Sequence, residues 1–336
     1  MLLEVRDLHV HFVAGAGSVP VLTGVDLSVA RGRTVALVGE SGCGKTVTAL
    51  SILRLLPQPA ARIVRGSVRL DGHDLLALSD RRLRAIRGNR LAMIFQEPMS
   101  SLNPVLPVGQ QIGEVLRVHR GWRGRAVRQR TGELLRLVGL PAPERCRRQY
   151  PHELSGGMQQ RIMIAMAVAC EPELLIADEP TSALDVVIQG QILTLLHTLQ
   201  QRSSMGLLLI AHDLGVVAEA ADDVCVMYAG RIVERASVGK LLSHPQHPYT
   251  RELLRCRPGL SSGASASAQP PRRLPMIPGE APDPACRPSG CPFHPRCAWG
   301  RDDPICQTRV PPWRWISADQ GCACWKAGEL PPAAPA

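Results

Sequence analysis

The stretch that decides the fold of this chain is Gly39-Glu40-Ser41-Gly42-Cys43-Gly44-Lys45-Thr46. It has the G-x-x-x-x-G-K-[ST] spacing of a phosphate-binding loop. An apolar run over residues 34–38 predicts a buried strand before the loop, and residues 45–56 have a helical pattern after it. Glycines let backbone N–H groups turn inward around phosphate oxygens, and the helix start adds the positive end of its dipole. The stretch therefore predicts a site for a nucleoside triphosphate.

Two side chains at the end of this loop indicate how it would hold its ligand. We expect Lys45 to reach the outer phosphates and the hydroxyl of Thr46 to bind Mg²⁺. A glycine-rich turn with no ligand is the alternative interpretation of the same residues. The strand before the loop and the helix after it favour the binding site.

Composition indicates the general class of protein but does not identify a binding partner. The 336 residues carry a net charge of +10 and 45% hydrophobic residues, which suits one large domain or two smaller ones. The positive charge permits binding to nucleic acid or to an anionic membrane surface and does not choose between them. No apolar run reaches the roughly 18–20 residues of a membrane span, and the N-terminus lacks a secretory pattern, so we expect a cytosolic protein.

Strand-like and helical patterns alternate along most of the chain. This alternation predicts an α/β fold with a largely parallel sheet. The strand-like runs are residues 34–38, 91–95, 174–177, 207–211 and 224–228.

The chain also changes character between its beginning and its end. We expect a first domain over residues 1–256, which contains a helical subdomain at about 105–154 where strand patterns are missing. The low-complexity segment 261–271 predicts a flexible linker over residues 257–285. Proline and cysteine dominate after it and predict a small, irregular, Cys-rich C-terminal domain over residues 286–336.

Two carboxylates follow the apolar run at residues 174–177. A buried strand ending here would place Asp178 beside an Mg²⁺ shell and let Glu179 polarise a water molecule. An acidic junction between a strand and a loop is the alternative. The phosphate loop upstream favours the catalytic interpretation.

A helix start with exposed glycines lies before these carboxylates, in Leu154-Ser155-Gly156-Gly157-Met158-Gln159-Gln160. Ser155 has the character of an N-cap, and the helix that it begins is expected to run to about residue 170. The positive end of that helix suits an anion, including a γ-phosphate from another subunit. An ordinary cap on a core helix is the alternative.

Three further polar residues lie just beyond strand-like runs. Gln96 follows residues 91–95, Asp185 closes the segment 182–185 soon after Glu179, and His212 follows residues 207–211. Each residue alone is compatible with an ordinary structural role. Their common position at strand ends, in this order, indicates a shared function.

Together these segments resemble the nucleotide-binding subunit of an ATP-binding cassette (ABC) transporter over about residues 1–255. The resemblance implies a P-loop ABC ATPase with a RecA-like core and a helical subdomain. It also implies that Glu179 is the catalytic base and that His212 contacts the γ-phosphate. Gln96 would sense the γ-phosphate and couple the site to membrane subunits.

The same resemblance implies that Thr46, Gln96 and Asp178 are the ligands of Mg²⁺. It also implies two larger sets of residues, one that binds ATP and one that acts across a dimer. Phe12 would stack on adenine, and Cys43 replaces the commoner Ser. The full ATP-binding set is Phe12, Gly39, Glu40, Ser41, Gly42, Cys43, Gly44, Lys45, Thr46, Gln96, Asp178 and His212. The set that acts in trans across a head-to-tail dimer is Ser155, Gly156, Gly157, Gln159 and Asp185.

Three segments narrow the resemblance to the branch that imports dipeptides, oligopeptides and nickel. They are residues 96–104, residues 179–189 and His247-Pro248-Tyr249-Thr250. The cysteine-bearing end is similar to the C-terminal region of dipeptide and oligopeptide ATPases, which implies a [4Fe–4S] cluster held by four cysteines. By pattern these ligands are Cys291, Cys297, Cys306 and Cys324. A structural zinc, or thiols without metal, are the alternatives, and a disulfide framework is not expected in the cytosol.

We therefore expect an ATPase subunit that powers the import of dipeptides or oligopeptides, with nickel or another small solute as alternative cargo. The implied partners are a second homologous ATPase in a heterodimer, two transmembrane permease subunits and an extracytoplasmic solute-binding protein. The implied location is the cytoplasmic side of the cell membrane, and no nucleic acid is expected. Two rival functions are a soluble ABC ATPase acting on nucleic acid and an ATPase serving iron–sulfur assembly. A third interpretation makes the C-terminal region a redox or regulatory module.

Overall fold

The computed structural model describes residues 1–15, 17–97, 101–182, 184–256 and 276–330. Its strands are β1 (Leu3–Ala14), β2 (Gly17–Val29), β3 (Thr34–Val38), β4 (Ala61–Leu70), β5 (His73–Asp74), β6 (Leu91–Ile94), β7 (Leu174–Asp178), β8 (Gly206–Ala211), β9 (Asp223–Tyr228), β10 (Arg231–Ser237), β11 (Arg314–Ser317) and β12 (Gln320–Cys322). Its helices are α1 (Lys45–Ile52), α2 (Asp80–Ile86), α3 (Val108–Arg120), α4 (Gly124–Leu137), α5 (Pro143–Cys146), α6 (Gly156–Val168), α7 (Val186–Ser203), α8 (Leu214–Ala220), α9 (Val238–Ser243), α10 (Pro248–Arg255) and α11 (Pro304–Thr308). Short 3₁₀ turns lie at Pro151–Glu153 and His294–Arg296.

The chain divides into two compact units, and the first consists of residues 1–3, 29–34 and 69–210. Its centre is a parallel sheet in which β7 pairs with β6 on one side and with β8 on the other. Every residue of β7 and β8 is buried. Continuous burial is typical of parallel strands covered on both faces, and it explains why these runs are apolar without alternation.

Helices α3 to α6 of this first unit follow β6 along the chain. Helix α3 buries an apolar stripe that includes Val108, Ile112 and Leu116, at the i, i+4 and i+8 spacing of one helix face. It packs against α4 and α6, and α6 packs against β6. This packing fixes the start of α6, where the Ser155 segment lies.

The second unit consists of residues 4–28, residues 35–68 and the described part of the chain from residue 211 onward. Strand β3 pairs in parallel with β9, which continues antiparallel into β10. A separate sheet in this unit places β1 between β2 and β4. These N-terminal strands are not among those predicted from the sequence. Strand β1 nevertheless has apolar residues at short intervals, namely Leu3, Val5, Leu8 and Val10.

The C-terminal region is built into this second unit. Strand β12 pairs antiparallel with β10, with Cys322 opposite Glu234, and β11 pairs with β12. Gln320 donates from Nε2 to Glu234 Oε1 at 3.0 Å, and the Glu234 side chain is fully buried. The expected Cys-rich irregular domain is therefore not confirmed as a body of its own.

Two sequence expectations stay open here. The low-complexity segment 261–271 lies outside the described residues, and the domain boundaries at 256 and 286 stay a prediction. Within the described ranges, no helix combines the length and the apolar character needed to cross a membrane.

Candidate functional site

The phosphate loop lies in the second unit between the end of β3 and the start of α1. Gly39 packs so closely on β9 that a Cβ there would lie 2.2 Å from the backbone oxygen of Met227. Gly44 has a φ of +112°, and a Cβ there would lie 2.6 Å from Leu22 Cδ2. Both positions therefore require glycine, for close approach at Gly39 and also for backbone conformation at Gly44.

Lys45 folds back over this loop. Its Nζ donates to the backbone oxygens of Gly39 at 2.8 Å and Glu40 at 3.1 Å. Thr46 is exposed in the first turn of α1, where backbone N–H groups have no partner within the helix. The loop thus presents an ammonium group, a hydroxyl and helix-terminal N–H groups, which are the donors that a phosphate requires.

The other loop side chains differ in exposure. Ser41 and Gly42 are exposed, whereas Cys43 is buried. Burial raises the pKa of the Cys43 thiol to about 11, so it is a protonated packing group at neutral pH. The replacement of Ser by Cys at this position is compatible with phosphate binding through the backbone.

Two residues that touch the loop were not among the predicted site residues. The backbone N–H of Glu40 donates to Tyr249 Oη at 2.8 Å. The guanidinium of Arg296 donates to both carboxylate oxygens of Glu40, at 2.7 and 2.9 Å. Tyr249 lies in the segment quoted for its family resemblance, but no sequence signal connects Arg296 with a loop 256 residues away.

The predicted catalytic carboxylates lie in the first unit at the end of β7. Asp178 is only 2% exposed, and Glu179 follows it with a φ of +45°, which is unusual for a residue with a side chain. The backbone N–H of Glu179 donates to Ile210 O at 3.0 Å, which holds this conformation. Gln96 donates from Nε2 to Glu179 Oε2 at 3.0 Å. The structure thus brings together two residues that lie 83 positions apart.

The set predicted to act in trans lies at the starts of α6 and α7, also in the first unit. Ser155 Oγ accepts from Met158 N, which confirms Ser155 as the N-cap of α6. Asp185 caps α7 in the same way by accepting from Ile188 N at 2.9 Å. A Cβ on Gly157 would lie 3.2 Å from Ile188 Cγ2, so the two helix starts lie side by side.

Gln159 has a different position from the rest of that set. Its buried amide donates to the backbone oxygens of Pro151 and Leu154, at 2.8 and 3.2 Å. These bonds shape the segment before Ser155 from inside the unit.

Phe12 and His212 belong to the second unit. Phe12 is partly exposed on β1, and His212 is exposed directly after β8. The next residue, Asp213, caps α8 by accepting from Gly215 N at 2.6 Å. This cap fixes the backbone beside His212 and leaves its ring at the surface.

The four cysteines assigned to an iron–sulfur cluster require a correction. Across the described ranges, no group of three or more His, Cys, Asp or Glu side chains could hold a metal ion. Cys291, Cys297 and Cys306 instead pack with Phe293 in the apolar core of the second unit. Burial raises the pKa of Cys291 to about 11 and that of Cys324 to about 12, so these thiols are protonated at neutral pH in this structure. The [4Fe–4S] assignment is wrong, and the zinc alternative fails on the same geometry.

Comparisons with known proteins identify the family of this chain. The ABC transporter family matches residues 22–182, and the C-terminal region of oligopeptide/dipeptide transporters matches residues 233–306. A probable peptide ABC transporter ATP-binding protein of Sinorhizobium fredii is 50% identical over 331 residues, which are 98% of this chain and 96% of that protein. The chain belongs to the ATP-binding proteins of ABC transporters.

A second relative of this ABC ATP-binding protein shows a similar degree of identity. The oligopeptide transport ATP-binding protein AppD of Bacillus subtilis is 48% identical over 310 residues, which are 92% of each chain. The family resemblance drawn from the motifs is therefore confirmed.

Solved structures confirm the predicted P-loop ABC ATPase fold. The ATP-binding cassette MJ0796, in a dimeric post-hydrolysis state bound to ADP and phosphate, matches with a TM-score of 0.63 and 27% identity. The match covers 70% of this chain and 98% of that one. The cbiO1 protein of Clostridium perfringens matches with a TM-score of 0.61 and 25% identity, over 71% of this chain and 90% of that one.

Proposed function

We propose that this ABC ATP-binding protein hydrolyses ATP to power the import of dipeptides or oligopeptides. The relatives named above carry peptide transport in their names, and the C-terminal match is to oligopeptide/dipeptide transporters. The observation that carries the enzymatic part is the hydrogen bond from Gln96 to Glu179 beside the buried Asp178. Nickel or another small solute is the alternative cargo, because specificity would reside in the partner proteins.

The residues of each unit have separate tasks in this proposal. The phosphate loop and Lys45 bind the triphosphate, Phe12 stacks on adenine, and His212 contacts the γ-phosphate. Glu179 accepts a proton from the attacking water, and its bond from Gln96 orients the carboxylate for that step. Thr46, Gln96 and Asp178 offer hydroxyl, amide and carboxylate oxygens, a donor set that fits Mg²⁺. Bound Mg²⁺ would neutralise phosphate charge.

A second cassette is part of the proposal. Ser155, Gly156 and Gly157 lie at the positive end of α6, close to the start of α7 with Asp185, and this surface suits the phosphate of a partner's nucleotide. The MJ0796 cassette is described as dimeric, which supports such pairing. We propose a heterodimer with a homologous subunit.

Membrane partners complete the proposed assembly. Two permease subunits and an extracytoplasmic solute-binding protein would supply the path and the specificity, and the chain would lie at the cytoplasmic side of the membrane. Residues 105–154 would form the helical subdomain that contacts the permeases, within a domain of residues 1–256. Residues 257–285 and 286–336 would be a linker and a C-terminal region.

Replacement of Glu179 by Gln tests the enzymatic part. We expect ATP affinity within about threefold of wild type and a fall in turnover of about 100-fold or more, since the amide cannot accept the proton of water. Equilibrium binding of a fluorescent ATP analogue and steady-state phosphate release measure the two quantities. Turnover near the wild-type value would remove Glu179 from its assigned role.

A further inference from the structure

One residue of the phosphate loop, Glu40, is held by the C-terminal region. The Arg296 guanidinium donates two parallel hydrogen bonds to its carboxylate, Nη1 to Oε2 at 2.7 Å and Nη2 to Oε1 at 2.9 Å. This bidentate arrangement is the strongest hydrogen-bonded form of an ion pair between these side chains. Both residues belong to the second compact unit.

Arg296 is fixed in place by its surroundings. Its side chain is 6% exposed, its Nε donates to Pro278 O at 2.9 Å, and its Nη1 also donates to Tyr228 Oη at 3.3 Å. The hydrogen bonds to Glu40 raise the pKa of Arg296, so the guanidinium is charged at every physiological pH. A buried fork with this many partners is preorganised and keeps a single geometry.

The Glu40 backbone connects this ion pair to the phosphate-binding groups. Its N–H donates to Tyr249 Oη, and its carbonyl oxygen accepts from Lys45 Nζ. Any movement of Glu40 therefore moves an acceptor of the lysine that is expected to reach the outer phosphates. Arg296 and Tyr249 hold Glu40 by its side chain and by its backbone.

The charge of Glu40 gives the pair a second effect. An unpaired carboxylate in a loop that binds a triphosphate repels the ligand, and the repulsion grows as water is excluded. The Arg296 guanidinium neutralises this charge through direct contact with the carboxylate. The pair thus permits a glutamate inside an anion-binding loop.

We infer that Arg296 is a positioning residue for nucleotide binding, which neutralises Glu40 and sets the loop, so that the C-terminal region takes part in the ATP site of its own chain. This inference rests on the nucleotide-binding part of the proposed function. It assigns the C-terminal region a role in binding ATP.

The test compares four variants of the full chain: Arg296→Gln, Arg296→Lys, the double variant Arg296→Gln with Glu40→Gln, and Arg301→Gln. Arg301 is an exposed arginine of the same region and serves as the matched control. Each is titrated with a fluorescent ATP analogue and Mg²⁺, and thermal unfolding without nucleotide reports folding.

We expect Arg296→Gln to weaken binding about tenfold, because it leaves an unpaired carboxylate at Glu40 in the loop that is proposed to bind the triphosphate. Arg296→Lys keeps the positive charge but loses the bidentate geometry of the guanidinium, so we expect affinity to fall about threefold. The double variant should recover to within about threefold of wild type, because it removes the repelling charge. Arg301→Gln should bind as wild type does.

Two results would overturn the inference. One is wild-type affinity in Arg296→Gln or, if that variant does not fold, in Arg296→Lys. The other is a double variant that binds no better than Arg296→Gln, since a merely structural arginine would not be rescued by a second substitution. A wild-type chain that binds no nucleotide would instead contradict the proposed function itself.

Discussion

The phosphate loop and the Gln96–Glu179 pair differ in how the protein holds them. The loop is fixed from several directions: Gly39 packs on neighbouring backbone, Lys45 bonds to carbonyl oxygens of the loop, and Glu40 is held at both its N–H and its carboxylate. The pair in the first unit lies at strand ends, with Gln96 exposed and Glu179 partly exposed.

This difference separates binding from chemistry. A loop that must accept a triphosphate gains affinity if it is preorganised, because no ordering is needed when the ligand arrives. The general base that we propose, Glu179, must adjust to a water molecule whose position depends on bound nucleotide, and solvent access permits that adjustment. Substitutions around the loop should therefore change stability and affinity, and substitutions at the pair should change turnover.

The largest effect is expected where the loop packs most tightly. Gly39→Ala places a methyl group 2.2 Å from Met227 O, and backbone on both sides must shift. We expect a loss of about 2–3 kcal/mol in the free energy of unfolding, with weakened ATP binding. Urea unfolding measures this loss of free energy. Gly190→Ala serves as the control, because a Cβ on Gly190 in α7 meets open space. Equal stability of both variants would show that the loop is not tightly packed.

Gln96→Ala should act on turnover. It removes the hydrogen bond that orients the Glu179 carboxylate, so we expect kcat to fall about tenfold while the Kd for ATP stays within about threefold. Steady-state hydrolysis and nucleotide titration separate the two. Loss of affinity at unchanged kcat would show that Gln96 acts only through its proposed contacts with Mg²⁺ and nucleotide and not through Glu179, and it would break the comparison.

Tyr249→Phe should have a smaller effect on the loop. It removes the hydroxyl that accepts the Glu40 N–H and leaves that donor without its partner, at a cost of about 1 kcal/mol in unfolding free energy. ATP binding should weaken about threefold, while Glu179-dependent turnover at saturation stays near wild type. Differential calorimetry and nucleotide titration check the two values. An unchanged Kd would mean that the ion pair with Arg296 holds Glu40 without help from Tyr249.

The smallest effect concerns the pH dependence of the second unit. Burial lowers the pKa of His247 to about 3, from about 6.5 in the unfolded chain, so the folded state keeps it neutral. The resulting stability is present above pH 6.5 and is lost progressively as pH falls from there toward 3. His247→Asn keeps a side-chain acceptor for Tyr249 N but cannot be protonated.

Comparison at two pH values isolates that titration. Between pH 7.5 and pH 6.0, wild type should lose about 1 kcal/mol of unfolding free energy more than His247→Asn does. Glu234, whose carboxylate accepts a hydrogen bond from the backbone N–H of residue 247, is present in both proteins. Its own contribution to the pH dependence therefore cancels in the difference. Parallel urea curves at each pH measure the quantity. Identical losses in the two proteins would show that His247 is not buried neutral.

Much of the first unit could be predicted because its signals are local. The strand runs at 174–177 and 207–211 became β7 and β8 with shifts of one residue, and the N-cap at Ser155 is where the pattern placed it. The second unit was harder to predict from sequence, because its C-terminal part contributes β11 and β12 to the sheet that contains β10, and this pairing joins segments far apart in the chain. The cysteine pattern suggested a metal site with four ligands, whereas three of these cysteines, Cys291, Cys297 and Cys306, pack as apolar side chains in a core shared with Tyr228 and Tyr249.

The sequence by itself determined the phosphate loop, the paired carboxylates and the helix caps, because each depends on residues within one turn or one strand end. Only the tertiary structure decided that Gln96 bonds to Glu179, that Arg296 bonds to Glu40, and that the C-terminal region continues the sheet of the second unit. These contacts join segments 83 to 256 positions apart, and nothing in local backbone preference or periodicity encodes such distances. Packing and charge pairing in the folded chain select them.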